Sequence, residues 1–423
     1  MMLRRIIFVL LFVSCLWAAP LAHGADLLSQ FHPSLTVKGE YNDNINLTST
    51  NKKDDYITTV QPGLKYSNMD KVSGVDLDAL VGFVFYGQNS NLNYLSANAN
   101  LNVKYMTTEH INFYFKDSFT RSDSPREQEY FTQTADNKYV LATQTQRAVY
   151  WRNVAAPTVE YQFGPENRVG VNYRNNIYQT EGTTSQNSIE NYINPFMSYW
   201  FDKRNGIYLE YGYTNGDFQS SPDLSGHRMN ARYTNRFGVK ASAFADYTYS
   251  IRNFNNASGL DYDIHEPFIG VTYAFTPTFN GSVQVGYYLQ SPKVGPKNDG
   301  LSFKGELVNL DPRTTYRLSV QGGYTEDYFT SENLGFQRYY RLTGSLTHFL
   351  EKRLSVGCLG SVELSEYGVD NRDTILGVTG TASYVPAKWL TLSLEVAHRD
   401  RQSNVSANAY TENRVMALAT ATY

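Results

Sequence analysis

The sequence predicts an all-β fold: a transmembrane antiparallel up-and-down β-barrel of roughly 18–20 strands, twenty by direct count. Three observations predict it. Alternating segments recur along the whole chain, the connections between them are short and long by turns, and the last segment alternates up to an aromatic C-terminus. Each follows from the solvent. A strand with lipid on one side and a watery lumen on the other must change character at every second residue.

The N-terminus carries Arg4 and Arg5, an apolar run from Ile6 to Leu16, and small residues through Ala25. That is the layout of a secretory signal, cleaved after Ala22-His23-Gly24. Residues 1–24 are therefore expected to be a signal peptide, and 25–423 a single barrel domain. The apolar run is too short for a membrane helix. A lipoprotein reading at Cys15 is weak, because Phe12 occupies the third position before it. Once the signal is removed, Cys358 is alone, so no intramolecular disulfide is expected.

Strands are expected near 34–43, 56–68, 72–88, 93–107, 111–121, 146–163, 168–180, 190–201, 206–219 and 226–237. They continue near 239–253, 262–275, 279–290, 301–309, 315–328, 334–350, 354–367, 373–385, 390–401 and 411–423. Tight turns fall at Asn68-Met69-Asp70-Lys71, Gly164-Pro165-Glu166-Asn167, Thr276-Pro277-Thr278, Asp311-Pro312-Arg313-Thr314 and Pro386-Ala387-Lys388, where proline and Asn/Asp preset the bend. Between them stand polar connections: Asn44–Asp55, Ser122–Thr145, Gln179–Ser188, Gly216–Ser225, Asn253–Leu260, Ser291–Gly300 and Arg401–Tyr410. A strict alternation of this kind matches periplasmic turns and extracellular loops. In the final strand Val415, Ala417, Ala419, Ala421 and Tyr423 share one face, the expected C-terminal assembly signal.

Composition agrees. The net charge of −3 gives no hint of nucleic-acid binding. Mean hydropathy is −0.44, yet the chain holds 34 Tyr and 23 Phe, as expected where half of each strand is wet and aromatic rings gather at the interfaces. No mature segment is apolar enough to span as a helix.

Charge assigns the faces, since a base on the lipid side costs roughly 2–4 kcal/mol at midplane. The lumen-lining basic candidates are Arg168, Arg174, Arg228, Arg232, Arg236, Lys240, Arg252, Arg317 and Arg399. Inward acids are fewer, among them Glu40, Glu160, Glu210, Asp246, Glu306, Glu363 and Glu395. One reading is a salt-bridged wall; the other is an electropositive conduit that focuses anions. Arg228, Arg232 and Arg236 form the most concentrated basic stripe. Tyr86, Tyr150, Tyr208, Tyr288 and Tyr339 are the lumen aromatic candidates, with the interfacial girdles as their alternative. Ser122–Thr145 either folds inward as a constriction or protrudes above the membrane.

No catalytic arrangement stands out, and no enzyme activity, metal or cofactor is expected. The histidines His32, His110, His227, His265, His348 and His398 lack ligand spacing, and no nucleophile elbow or phosphate loop occurs.

The first mature strand, Phe31-His32-Pro33-Ser34-Leu35-Thr36-Val37-Lys38-Gly39-Glu40-Tyr41-Asn42-Asp43-Asn44-Ile45, is led by proline and ends in Tyr-x-Asp-Asn-Ile. It resembles the outer-membrane β-barrel porin families associated with exopolysaccharide biosynthesis and export clusters. The resemblance implies a pore in the outer membrane of a Gram-negative cell, both termini periplasmic, through which a polysaccharide passes. It implies a separate periplasmic polysaccharide-export protein as partner, alongside outer-membrane lipid and the barrel-assembly machinery. A general or solute-specific diffusion porin is the alternative, and a non-transport barrel, adhesin or membrane enzyme, the second. Relatives of this kind are pictured with fewer strands than the count here, which makes the strand number itself a test.

Overall fold

The computed structural model describes residues 30–107, 109–125, 139–141, 147–181, 187–255, 257–329, 334–368 and 370–423. The expected signal peptide, Cys15 and most of Ser122–Thr145 lie outside them.

The strands are β1 (Phe31–Asn42), β2 (Asp55–Met69), β3 (Ser73–Tyr86), β4 (Tyr94–Met106), β5 (Ile111–Ser122), β6 (Tyr139–Leu141) and β7 (Tyr150–Gln162). Next come β8 (Arg168–Thr180), β9 (Ser188–Trp200), β10 (Asn205–Phe218), β11 (Leu224–Arg236), β12 (Ala241–Phe254), β13 (Tyr262–Ala274) and β14 (Phe279–Pro292). The chain ends with β15 (Asn298–Leu310), β16 (Thr314–Phe329), β17 (Gly335–Glu351), β18 (Leu354–Tyr367), β19 (Asn371–Ala387), β20 (Leu390–Ser403) and β21 (Tyr410–Thr422).

All but β6 form the wall, so twenty of the 21 strands build one antiparallel barrel, each paired with its neighbour in sequence. β1 closes the cylinder against β21, from Ser34 opposite Thr422 to Asn42 opposite Arg414. The Tyr423 N–H extends this seam, donating to the Pro33 carbonyl at 3.0 Å, while its ring is exposed. The direct count of twenty holds, and closure removes the two free edges that an open sheet would present to lipid.

Alternation sorts the side chains. On β12, Asp246, Thr248, Ser250 and Arg252 are buried toward the lumen, while Ala245 and Tyr247 are exposed. On β8, Val169, Val171 and Tyr173 are exposed; on β20, so are Leu392, Leu394 and Val396. Cys358 is exposed on β18, in phase with Val356, Val362 and Leu364 on the lipid face.

Both described ends of the chain sit at the short-turn end. There, Asp202 closes one turn by accepting the N–H groups of Arg204 and Asn205 at 2.6 and 2.8 Å, an acidic side chain replacing a ladder bond. The opposite end carries the longer connections, including 43–54, 181–187 and 255–261. The expected strict alternation is not kept: 219–223 and 293–297 at the long-loop end are no longer than the turn 163–167, and one connection is shorter still. Residues 368–370, which join β18 to β19 at the long-loop end, form a connection as short as the turns, with Asp370 at φ +59° and Gly368 at φ +57°. A tight reversal through left-handed residues makes a long loop unnecessary.

One strand departs from the cylinder. β15 and β16 pair from Leu310 opposite Thr315 up to Phe303 opposite Gly322, and the ladder ends there. On either side the wall runs further: β14 holds β15 out to Asn298, and β17 holds β16 out to Asp327. Beyond Gly323, β16 turns into the lumen. β6 then pairs with it in parallel, Tyr139 opposite Glu326 and Leu141 opposite Phe329. Of the β5–β7 connection, the three residues of β6 thus lie along the inward end of β16.

Candidate functional site: the lumen

The inward segment of β16 begins at two glycines. A Cβ on Gly322 would lie 2.6 Å from the Phe303 ring, and Gly323 has φ +157°, which side-chain-bearing residues rarely adopt. Below this point Tyr316, Leu318 and Val320 face lipid. Tyr324 and Glu326 keep the same parity yet are almost fully buried, because the bend has turned that face onto the inner surface of the wall.

There Tyr324 packs with its ring 5.0 Å from Tyr288 and 5.1 Å from Phe336. Leu224, Phe254, Tyr262 and Ile264 complete an apolar cluster inside the barrel near the loop end. Glu326 is held by both ends of one guanidinium: Arg252 Nε and Nη2 donate to its two oxygens at 3.2 Å each, and the Tyr262 hydroxyl donates to it as well. Arg252 is on β12, so the segment lies across the lumen faces of β13, β14 and β15. This forked geometry satisfies two buried charges at once. Behind the segment, Arg338 on β17 donates to the Asp299 carbonyl at 3.0 Å and to the Tyr288 hydroxyl at 3.2 Å. Asp261, in the loop ahead of β13, is pushed up by burial, but Lys293 and the Phe254 N–H hold its carboxyl below the usual range.

A second polar region faces β1–β4 and β20–β21, around a cavity of about 210 Å³ lined in part by Lys38, Glu40, Tyr86, Tyr94, Arg399 and Arg414. Arg147 roofs it. It pairs with Asp123 at 2.8 Å and donates to the Ile45 carbonyl at 2.6 and 2.8 Å. Burial would lower the Arg147 pKa, but Asp123 and Tyr86 outweigh it and the group is raised.

The basic candidates meet acids. Arg174 pairs with Glu190 at 2.8 Å, Arg232 with Asp246 at 2.6 Å, and Arg236 with Glu166 at 2.7 Å. Arg168 stands 3.6 Å from Glu160, Arg317 3.5 Å from Glu306, and Arg399 3.4 Å from Glu412. Arg228 is paired with Glu210, and Arg252 with Glu326 as above. The stripe on β11 is thus matched by carboxylates of β10, β12 and a neighbouring turn. Lys240 is a correction: it stands exposed in the turn ahead of β12 rather than on the lumen wall, because β12 begins at Ala241.

Tyr86, Tyr150 and Tyr288 are buried on the lumen side, and Tyr208, half-buried, donates to Glu210 at 3.0 Å. Sequence reasoning overlooked Tyr178, Tyr192, Tyr262, Tyr367 and Tyr410, also buried at the loop end. Tyr178 could have been found, since it shares the parity of Arg168 and Arg174 on β8. Tyr324 and Glu326 could not, because their parity names the lipid face. Of the C-terminal signal residues, Val415 and Tyr423 are exposed on the outer face. Among the described residues no cluster of His, Cys, Asp and Glu is arranged to hold a metal ion.

Solved structures of the same fold class resemble this one across 93% of its chain. The siderophore receptor PirA from Pseudomonas aeruginosa aligns with TM-score 0.52 and 9% identity over 80% of its own chain. The ferric enterobactin receptor PfeA of the same organism, in complex with enterobactin, gives TM-score 0.52 and 9% identity over 81% of its chain. OccAB3 of Acinetobacter baumannii is covered completely, with TM-score 0.42 and 11% identity. A search of curated proteins gives no match. What the chain shares with these structures is the fold, a closed antiparallel β-barrel. A family model described as "Putative beta-barrel porin 2" matches residues 30–192 and 219–423, and the chain belongs to that family.

Proposed function

We propose that this barrel is an outer-membrane pore through which an exopolysaccharide leaves the cell, served by a separate periplasmic polysaccharide-export protein. The observation that carries the reading is the tyrosine collar. Tyr86, Tyr150, Tyr178, Tyr192, Tyr288, Tyr339, Tyr367 and Tyr410 all lie buried on the lumen side near the long-loop end. The rings stand packed against their neighbours in this state, so it is on opening of the lumen that each would offer a flat apolar surface to the face of a pyranose and its hydroxyl a hydrogen bond. Ion pairs alternating with the rings keep the wall polar without a strong net field, so a polymer is not trapped by charge. The end with short turns and both described termini would face the periplasm and its partner, the barrel having been inserted by the assembly machinery into outer-membrane lipid.

A second reading, a solute-specific diffusion porin, is favoured by the occlusion. β6 and the end of β16, lying inside the barrel, narrow the path, which suits a small solute better than a polymer. Deleting the gene and quantifying surface polysaccharide separates the two. Loss of polymer, restored by the intact gene, supports export. Normal polymer together with slower uptake of small sugars supports diffusion.

A further inference from the structure

We propose that Gly323–Phe329 of β16, carrying with it the Gly335–Tyr339 stretch of β17 to which it stays paired, is a gate, hinged at Gly322–Gly323, which swings out of the lumen to complete the wall against β15. The inference holds whatever the pore carries. Four observations converge on it.

The first is an unfinished seam. β15 is held by β14 out to Asn298, but its other edge has no strand partner beyond Phe303 among the described residues. An unpaired edge is what a closed barrel otherwise abolishes. Arg338 touches that edge at the Asp299 carbonyl, but one side chain does not replace a ladder.

The second is register. Continuing the β15–β16 ladder by its own rule sets Leu301 opposite Tyr324, Gly300 opposite Thr325, Asp299 opposite Glu326 and Asn298 opposite Asp327. No residue need be inserted or skipped, so the outward position is already written into the strand lengths.

The third is parity. Tyr324 and Tyr328 continue the lipid-facing series of Tyr316, Leu318 and Val320. Swung out, they would stand beside the exposed Tyr287 and Tyr340 as members of the outer aromatic girdle. The two tyrosines therefore have a satisfactory place in both positions, as a two-state element requires, whereas Glu326, of the same parity, is better placed inward.

The fourth is the latch. Inward, Glu326 is neutralised by Arg252 and bonded by Tyr262. Outward, it would face Asp299, and like charges directly opposed across strands disfavour the pairing. The balance accordingly rests inward, with β6 as a second hold on the segment. The hinge residues suit the motion, since Gly323 at φ +157° tolerates backbone geometry that other residues resist.

The test uses the protein purified from outer membranes, in a Cys358→Ser background, and recorded in planar lipid bilayers. Asn298→Cys with Asp327→Cys joins the outermost pair of the continued register and leaves the latch intact. Oxidation should cross-link the pair and raise conductance several-fold, and reduction should reverse both. The proposal is overturned if the cross-linked barrel conducts like the reduced one. It is also overturned if no cross-link forms in a barrel whose heat-modifiable gel shift is normal and in which a Gly305→Cys, Val320→Cys control does cross-link. Glu326→Gln, which needs no cross-link, should by itself raise conductance by weakening the latch and removing the repulsion from Asp299. Wild-type conductance in that variant counts equally against the gate.

Discussion

Arg401 and Asp373 meet on the lumen side of β19 and β20 with side chains about 2% exposed, joined by bonds of 2.6 and 3.0 Å to one carboxylate oxygen. Arg236 and Glu166 form an equally short pair at the short-turn end, but theirs is open to water. Distance alone would rank them together; solvent separates them. Removing one member of a buried pair leaves the other charge desolvated, at a cost of about 3–5 kcal/mol, whereas an exposed pair is worth about 0–1 kcal/mol. Asp373→Ala should therefore lower the unfolding midpoint of the detergent-solubilised barrel markedly, and Glu166→Ala should scarcely move it. Equal shifts in a thermal gel-mobility assay would contradict that ranking.

At the scale of elements, β11 is the instructive strand. Its three arginines were legible as a stripe because their spacing of four keeps one parity, yet their partners were not, since Glu210, Asp246 and Glu166 come from elsewhere in sequence. The stripe's charge is therefore spent locally. Substituting Glu210→Gln together with Asp246→Asn should uncover it and shift the zero-current potential in a salt gradient toward anion preference. A potential unchanged from wild type would mean that these arginines do not face the conducting path. The upper part of β16 was illegible for a different reason. Period-two alternation reports which side chains share a face, not whether that face looks at lipid or at the inside of the opposite wall, so Tyr324 and Glu326 gave no warning. The parallel pairing of β6 escaped for want of length, a three-residue strand carrying too little pattern to detect.

For the whole molecule, sequence yielded most of the architecture because the bilayer enforces it: each wall strand must alternate and the sheet must close on itself. A charge on the outer surface should then be far costlier than one inside. Leu394→Arg, on the lipid face of β20, should cost roughly 2–4 kcal/mol if it sits near midplane, while Thr391→Arg, facing the lumen, should cost little. Denaturant unfolding from liposomes measures both, and similar midpoints would argue against the face assignment. Closure makes a further demand, as β21 must find β1 last. Deleting Tyr423, whose N–H extends that seam, should reduce the folded fraction recovered from outer membranes, read as loss of the heat-modifiable band. The thiol of Cys358, the one cysteine among the described residues, adds a practical consequence. Projecting into hydrocarbon, it should ignore charged water-borne maleimides and accept greasy ones, so a nitroxide placed there would serve as a built-in depth gauge.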